Sequence, residues 1–237
     1  MPVDSQLVEA ITREVMRQLK NGAVNPAGYP SPPPPGSRRI PVGVSVRHVH
    51  LCQEHIDILF GAGHGLTRLR PLPQPGEFVA AETVTLVGPR LKAMENVRVL
   101  GDVRRVTQVE VSRTDGYALG VHPPVRRSGD LEGTPGVTLI GPAGSLTLER
   151  GLIIPNRHIH MNPGDAAYFG VGDGQEVDVR VVSERSAILG QVQIRVGGPG
   201  AVLYMHLDTD DANAAAMDEN TRVEILPAEV TKCCWLK

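Results

Sequence analysis

With 237 residues, 41% of them hydrophobic, the chain has room for one large or two small domains with a substantial core. A formal net charge of −2 argues against a general nucleic-acid or membrane-surface binder, and 3% aromatics leave no stacking platform for single strands. Cys52, Cys233 and Cys234 form no even disulfide framework and fit a reducing cytosol, no apolar run reaches the roughly 18 residues of a membrane span, and the N-terminus does not read as a secretory signal.

Val3, Leu7, Ile11, Val15 and Leu19 recur every four residues, opposite Glu9, Arg13, Glu14 and Arg17, which predicts an amphipathic helix over residues 3–20. A helix this short is marginal alone in water, so its apolar stripe expects a partner surface. Residues 23–39 are a proline-rich, semi-rigid tether that cannot join a core, which sets 1–22 and 23–39 apart from a body beginning near Ile40. In the body, strand-like runs fall at 41–51, 77–89, 94–101, 106–113, 136–141, 145–154, 175–184, 187–197 and 221–227, and short helices at 53–60, 163–169 and 210–218. Many short strands and few helices predict a mainly β fold of two tandem, related β-barrels capped by short helices, 40–135 and 136–237, with exchange of strands between them left open.

The strongest motif is Arg47-His48-Val49-His50-Leu51 and its echo Arg157-His158-Ile159-His160-Met161. On a strand, residues i and i+2 share a face roughly 6–7 Å apart, so two imidazoles can close on one metal ion; on a helix the same spacing splays them by about 200°. Each copy is followed by a helix-like segment and a Phe-Gly-x-Gly-x-Gly run (Phe60–Gly65 and Phe169–Gly174), so the pattern is an internal duplication. A catalytic metal site needs at least a third protein ligand. His206, in the apolar run Ala201–Leu207, is the candidate in the second half; Glu110, among alternating valines, is one in the first, with His55, His64 and His122 as alternatives in less strand-like contexts. Imidazole and carboxylate donors without paired thiolates suit zinc or a related divalent ion. Arg47, Arg157, Arg104-Arg105 and Arg126-Arg127 offer guanidinium forks that match phosphate geometry.

Taken together, Arg-His-x-His twice, Gly-x-x-Arg followed by Gln-Val-Glu, Arg-x-Ser-Gly-Asp and Met-His-Leu-Asp-Thr-Asp resemble the PduL-type phosphotransacylases, phosphate propanoyltransferases of bacterial microcompartments, over about residues 40–228. The resemblance implies two β-barrels enclosing a two-metal site, and interconversion of acyl-CoA plus phosphate with acyl phosphate plus CoA, propanoyl-CoA being the usual substrate. It implies that His48, His50 and Glu110 ligate one zinc ion and His158, His160 and His206 the other. Arg104 stands at the phosphate-contacting position, Ser128 in a loop that reaches substrate, and Tyr117 at an aromatic position that packs on the CoA adenine. Asp102 replaces an expected proline, which leaves open whether Arg104 or Arg105 points into the site. The N-terminal helix and tether are similar to peptides that direct such enzymes to microcompartment shell or cargo proteins, and the helix could also drive self-association into a dimer or larger oligomer.

Direct attack by phosphate, without an acyl-enzyme, is the expected mechanism, Cys52 being the nearest nucleophile candidate. Two other readings use the same ligands: a two-metal hydrolase of thioesters or phosphate esters, and a zinc-stabilised scaffold with closed four-ligand sites.

Overall fold

Short, turn-bounded runs of alternating valine and other apolar residues favour strands, and the computed structural model, which describes residues 38–227, is mainly β. Six strands close a barrel: β1 (Arg39–Ser45), β11 (His158–Met161), β12 (Glu176–Val182), β13 (Ala187–Val196), β14 (Tyr204–Asp208) and β15 (Arg222–Ile225), in the order β1-β14-β11-β13-β12-β15. The others are β2 (His48–His50), β3 (Arg68–Pro71), β4 (Phe78–Val87), β5 (Ala93–Gly101), β6 (Gln108–Glu110), β7 (Val125–Arg126), β8 (Thr138–Ile140), β9 (Ser145–Thr147) and β10 (Leu152–Pro155). They form a curled half-barrel sheet ordered β7-β10-β6-β2-β5-β4-β8-β9, with β3 paired to β4. Four short helices complete the described residues: α1 (Gln53–Phe60), α2 (Arg113–Leu119), α3 (Pro163–Phe169) and α4 (Thr209–Ala214).

The two bodies share one plan and trade one strand each. In the sheet, β2 lies antiparallel to β6 and parallel to β5; in the barrel, β11 lies antiparallel to β14 and parallel to β13. The strand preceding each His-x-His strand crosses to the opposite body, β1 joining β14 and β10 joining β6, both in parallel. Ile40 and Val42 therefore pack with Ile159, Val179 and Met205, whereas Leu152 packs with Val49, Val99 and Val109. This crossing breaks the strand expected over 41–51 at Val46-Arg47, and the run 145–154 divides into β9 and β10. The barrel closes because β1 is hydrogen-bonded to β14 on one side and β15 on the other. Its counterpart β10 meets β6 on one side but only the two-residue β7 on the other, so the sheet stays open, with Leu152 N–H donating to Pro135 O at 3.0 Å across the gap.

The strand expected over 106–113 stops at Glu110, and α2 follows. Ser112 and Asp115 form a capping box, each side chain accepting from the other's backbone N–H, which favours a helix start over a continued strand. Asn162 and Asp165 repeat the device at α3, and Asp208 accepts from Asp210 N and Asp211 N at α4, which ends at Ala214 rather than 218. Two contacts lock the bodies together: Gln74 exchanges hydrogen bonds with the backbone of Val202 (3.0 and 3.2 Å), and Thr114 N–H donates to Asp210 Oδ2 at 2.8 Å. The helix expected over 3–20, the tether 23–39 and Cys233-Cys234-Trp235 lie outside the described residues.

Candidate active site

Strand register brings the candidate ligands together. His48 is the antiparallel partner of Glu110, as His158 is of His206, so the same position of the duplicated plan carries a carboxylate in one body and an imidazole in the other. His50 and His160 then follow from the period-two alternation. The donor atoms of His48, His50 and Glu110 lie within 4.8 Å of one another, and so do those of His158, His160 and His206. The leading histidines are aimed identically: His48 Nδ1 lies 2.8 Å from Val46 O and His158 Nδ1 2.8 Å from Asn156 O. A carbonyl can only accept, so each Nδ1 carries the proton and Nε2 is left for the cluster. Arg47 donates to Asp115 at 2.6 Å, and Arg157 grips both oxygens of Asp211 at 2.6 Å. These two arginines, which the sequence offers as anion binders, instead tie each His-x-His strand to the helix that follows the third ligand.

Both clusters fit a divalent cation. Burial, with His48 next, pushes His50 down to about 3, and burial with His160 takes His206 to about 3. Burial, with Arg195 next, lowers His160 to about 4 and holds His158 well below its usual range. Such imidazoles are neutral at pH 7, the form that ligates metal. His50 Nδ1 is buried without a hydrogen-bond partner; in the tautomer that leaves it unprotonated, its lone pair is one that a bound cation would satisfy. Burial would raise Glu110, but the charge and hydrogen bond of His48 outweigh it and hold the carboxyl well below its usual range. Burial acts on His48 in the opposite sense and is outweighed by Glu110, 3.3 Å away, so its pKa is raised. Glu110 thus presents a carboxylate, further fixed by the Ser128 hydroxyl, which donates to Oε1 at 2.6 Å.

The two clusters open on one cavity of about 740 Å³, walled by both bodies. Arg104 lines it, 3.5 Å from Glu77 Oε1, with its backbone N–H donating to Leu51 O at 2.9 Å; Ser128 lines it as well. Arg105 is exposed and does not line the cavity, so of the two arginines left open by the sequence Arg104 faces this space. Tyr117 is 63% exposed, stands against His122 and is also outside the lining. His55 bonds to Thr107 and His64 to Glu82, away from the clusters. Cys52 precedes α1, within 3.5 Å of the Thr107 hydroxyl, and is absent from the lining. Sequence reasoning missed Arg195, Glu77 and Tyr204, all of which line the cavity. Arg195 carries no signal beyond being the polar phase of an alternating strand, which reads as a solvated face.

A family model described as phosphate propanoyltransferase matches residues 41–218. A phosphate propanoyltransferase of Thermotoga maritima is 56% identical over 186 residues, covering 78% of this chain and 88% of the relative. One of Lachnoclostridium phytofermentans is 46% identical over 94% of this chain and 100% of its own length, and one of Rhodopseudomonas palustris 45% identical over 95% and 99%.

Proposed function

Because the chain belongs to the phosphate propanoyltransferase family, we propose that it is a phosphate acyltransferase that interconverts acyl-CoA, propanoyl-CoA first among them, and phosphate with acyl phosphate and CoA. The observation that carries this reading is the convergence of two duplicated donor clusters and Arg104 on a single cavity. His48, His50 and Glu110 would hold one zinc ion and His158, His160 and His206 a second; when bound, the ions supply Lewis acidity toward a thioester carbonyl and a departing thiolate.

Arg104 binds phosphate through charge-assisted hydrogen bonds, exchanging its Glu77 partner for the incoming anion. Ser128 keeps Glu110 in place and lines the substrate space. Transfer is direct: a phosphate oxygen bonds to the thioester carbon, the carbon–sulfur bond breaks, and the proton of hydrogen phosphate ends on the CoA sulfur. The position of Cys52 outside the lining supports a route without an acyl-enzyme, so Cys52→Ala retains turnover that His158→Ala loses. Residues 3–20, on their tether, address the enzyme to microcompartment shell or cargo proteins, and hence to the lumen; among the described residues no helix is long and apolar enough to cross a membrane.

Metal content by emission spectroscopy, measured alongside CoA release from propanoyl-CoA with and without phosphate, tests this reading. About two zinc ions per chain and phosphate-dependent release are expected. Release at the same rate without phosphate would make the protein a hydrolase and overturn the assignment.

A further inference from the structure

Arg195 stands on β13 in register with His160 of β11, and it lines the cavity between the clusters. The side chain is half-buried, and its positive neighbours are Arg127 and, beyond it, Arg104. A guanidinium removed from water ordinarily sits against a carboxylate, because an uncompensated buried charge is expensive. The partners here are neutral amides: Nη2 donates to Asn156 Oδ1 at 2.6 Å and Nε to Gln193 Oε1 at 3.4 Å, while Nη1 has no hydrogen-bond partner among the described residues. The cluster beside it adds no negative charge, being three imidazoles. Asn156 does two jobs, its backbone oxygen accepting from His158 Nδ1 and its side-chain oxygen from Arg195, so one residue orients both a cluster histidine and the guanidinium fork. A half-buried arginine that lines the cavity with only neutral amides as hydrogen-bond partners is a site that an anion would complete.

We infer that Arg195 is a second phosphate-binding residue of the reaction proposed above, holding the anion from the barrel while Arg104 holds it from the sheet. The inference rests on that reading, and it gives the two bodies distinct shares of one substrate. Phosphate would bridge them across the cavity that both arginines line, leaving acyl-CoA to other parts of the lining.

The test is steady-state kinetics of the metal-loaded full chain carrying Arg195→Gln, varying phosphate and propanoyl-CoA separately, with direct titration of inorganic phosphate by calorimetry and metal content measured on the same samples. The expected result is a rise of about tenfold or more in KM and Kd for phosphate, the loss of one charge-assisted pair, with KM for propanoyl-CoA within about twofold of the unmodified protein. Unchanged phosphate constants, or equal losses for both substrates, overturn the inference. If Arg195→Gln also loses metal, Arg195→Lys decides: with normal metal content, weaker phosphate binding supports a fork-specific contact and unchanged binding refutes it. Failure of the broader reading is separate, since it appears in the unmodified protein as CoA release that ignores phosphate.

Discussion

The proton on Nδ1 of His48 and His158 decides what each leading histidine can do, and a backbone carbonyl two residues earlier fixes it in both copies. The neutral histidines around them carry a stability consequence. His50 and His206 titrate near 3 and His160 near 4 in the folded chain, against about 6.5 unfolded. Between those values the unfolded chain binds more protons, so stability rises with pH across the window and falls as pH drops below about 6.5. His48 works the other way: its raised value gives stability present below 6.5 and lost as pH rises through the folded pKa. The downward displacement of four histidines (His50, His158, His160 and His206) outweighs the upward displacement of His48. The metal-free protein is therefore expected to lose thermal stability steadily from about pH 6.5 to pH 4, measured by calorimetry after chelation, and to gain stability at pH 7 on adding zinc. A flat profile would show that the histidines are solvated rather than buried neutral.

At the scale of single elements, β1 depends on the absence of one side chain. Gly43 is paired in register with His206, and a Cβ there would lie well inside contact distance of the Tyr204 ring, which itself stands 5.3 Å from His206. Gly43→Ala is expected to cost about 1–3 kcal/mol in urea denaturation, the usual range for overpacking. Adding Tyr204→Leu should recover part of that loss, because the smaller side chain makes room; strictly additive losses would place the strain elsewhere. The same elements show what a sequence can and cannot disclose. His48, His50, His158 and His160 were legible because period-two spacing on a strand is a local property, and His206 and Glu110 because polar residues in apolar alternation need a reason. Their pairing across β14 and β6 was not legible, since register is set by partners far along the chain. Helix α2 was hidden because valines before Ser112 continue the strand pattern, and the capping box that ends it is a weaker signal than the run it interrupts. A further mark of the duplication, the left-handed Asn96 of β5 and Gln191 of β13 (φ 58° and 56°), has at most a weak sequence signature, since asparagine favours that region but glutamine does not. An arginine beside two histidines reads as an anion binder in the sequence, whereas the carboxylate partners of Arg47 and Arg157 lie 68 and 54 residues away.

For the molecule as a whole, the reciprocal exchange of β1 and β10 makes the barrel dependent on the chain's first described strand, and this separates two roles for the N-terminal region. β1 supplies Ile40 and Val42 to the barrel core and, among the described residues, the only closure between β14 and β15. Without it, both neighbours would expose unpaired backbone groups and the barrel core would open to water, a loss of several hydrogen bonds and two buried aliphatic side chains. The preceding residues 1–22 make no such demand if, as proposed, they serve as an address. Two truncations follow from this. Removal of residues 1–22 is expected to leave phosphate-dependent CoA release and thermal stability unchanged while abolishing co-localisation with shell proteins. Removal of residues 1–45 deletes β1 and is expected to abolish cooperative unfolding of the barrel and binding at the His158, His160 and His206 cluster, read by calorimetry and metal content. Loss of turnover in the shorter truncation would mean that the helix belongs to the catalytic body. A stable, metal-replete product of the longer one would mean that β14 and β15 can close the barrel by themselves, and that the exchange of strands is a feature of descent rather than a requirement of the fold.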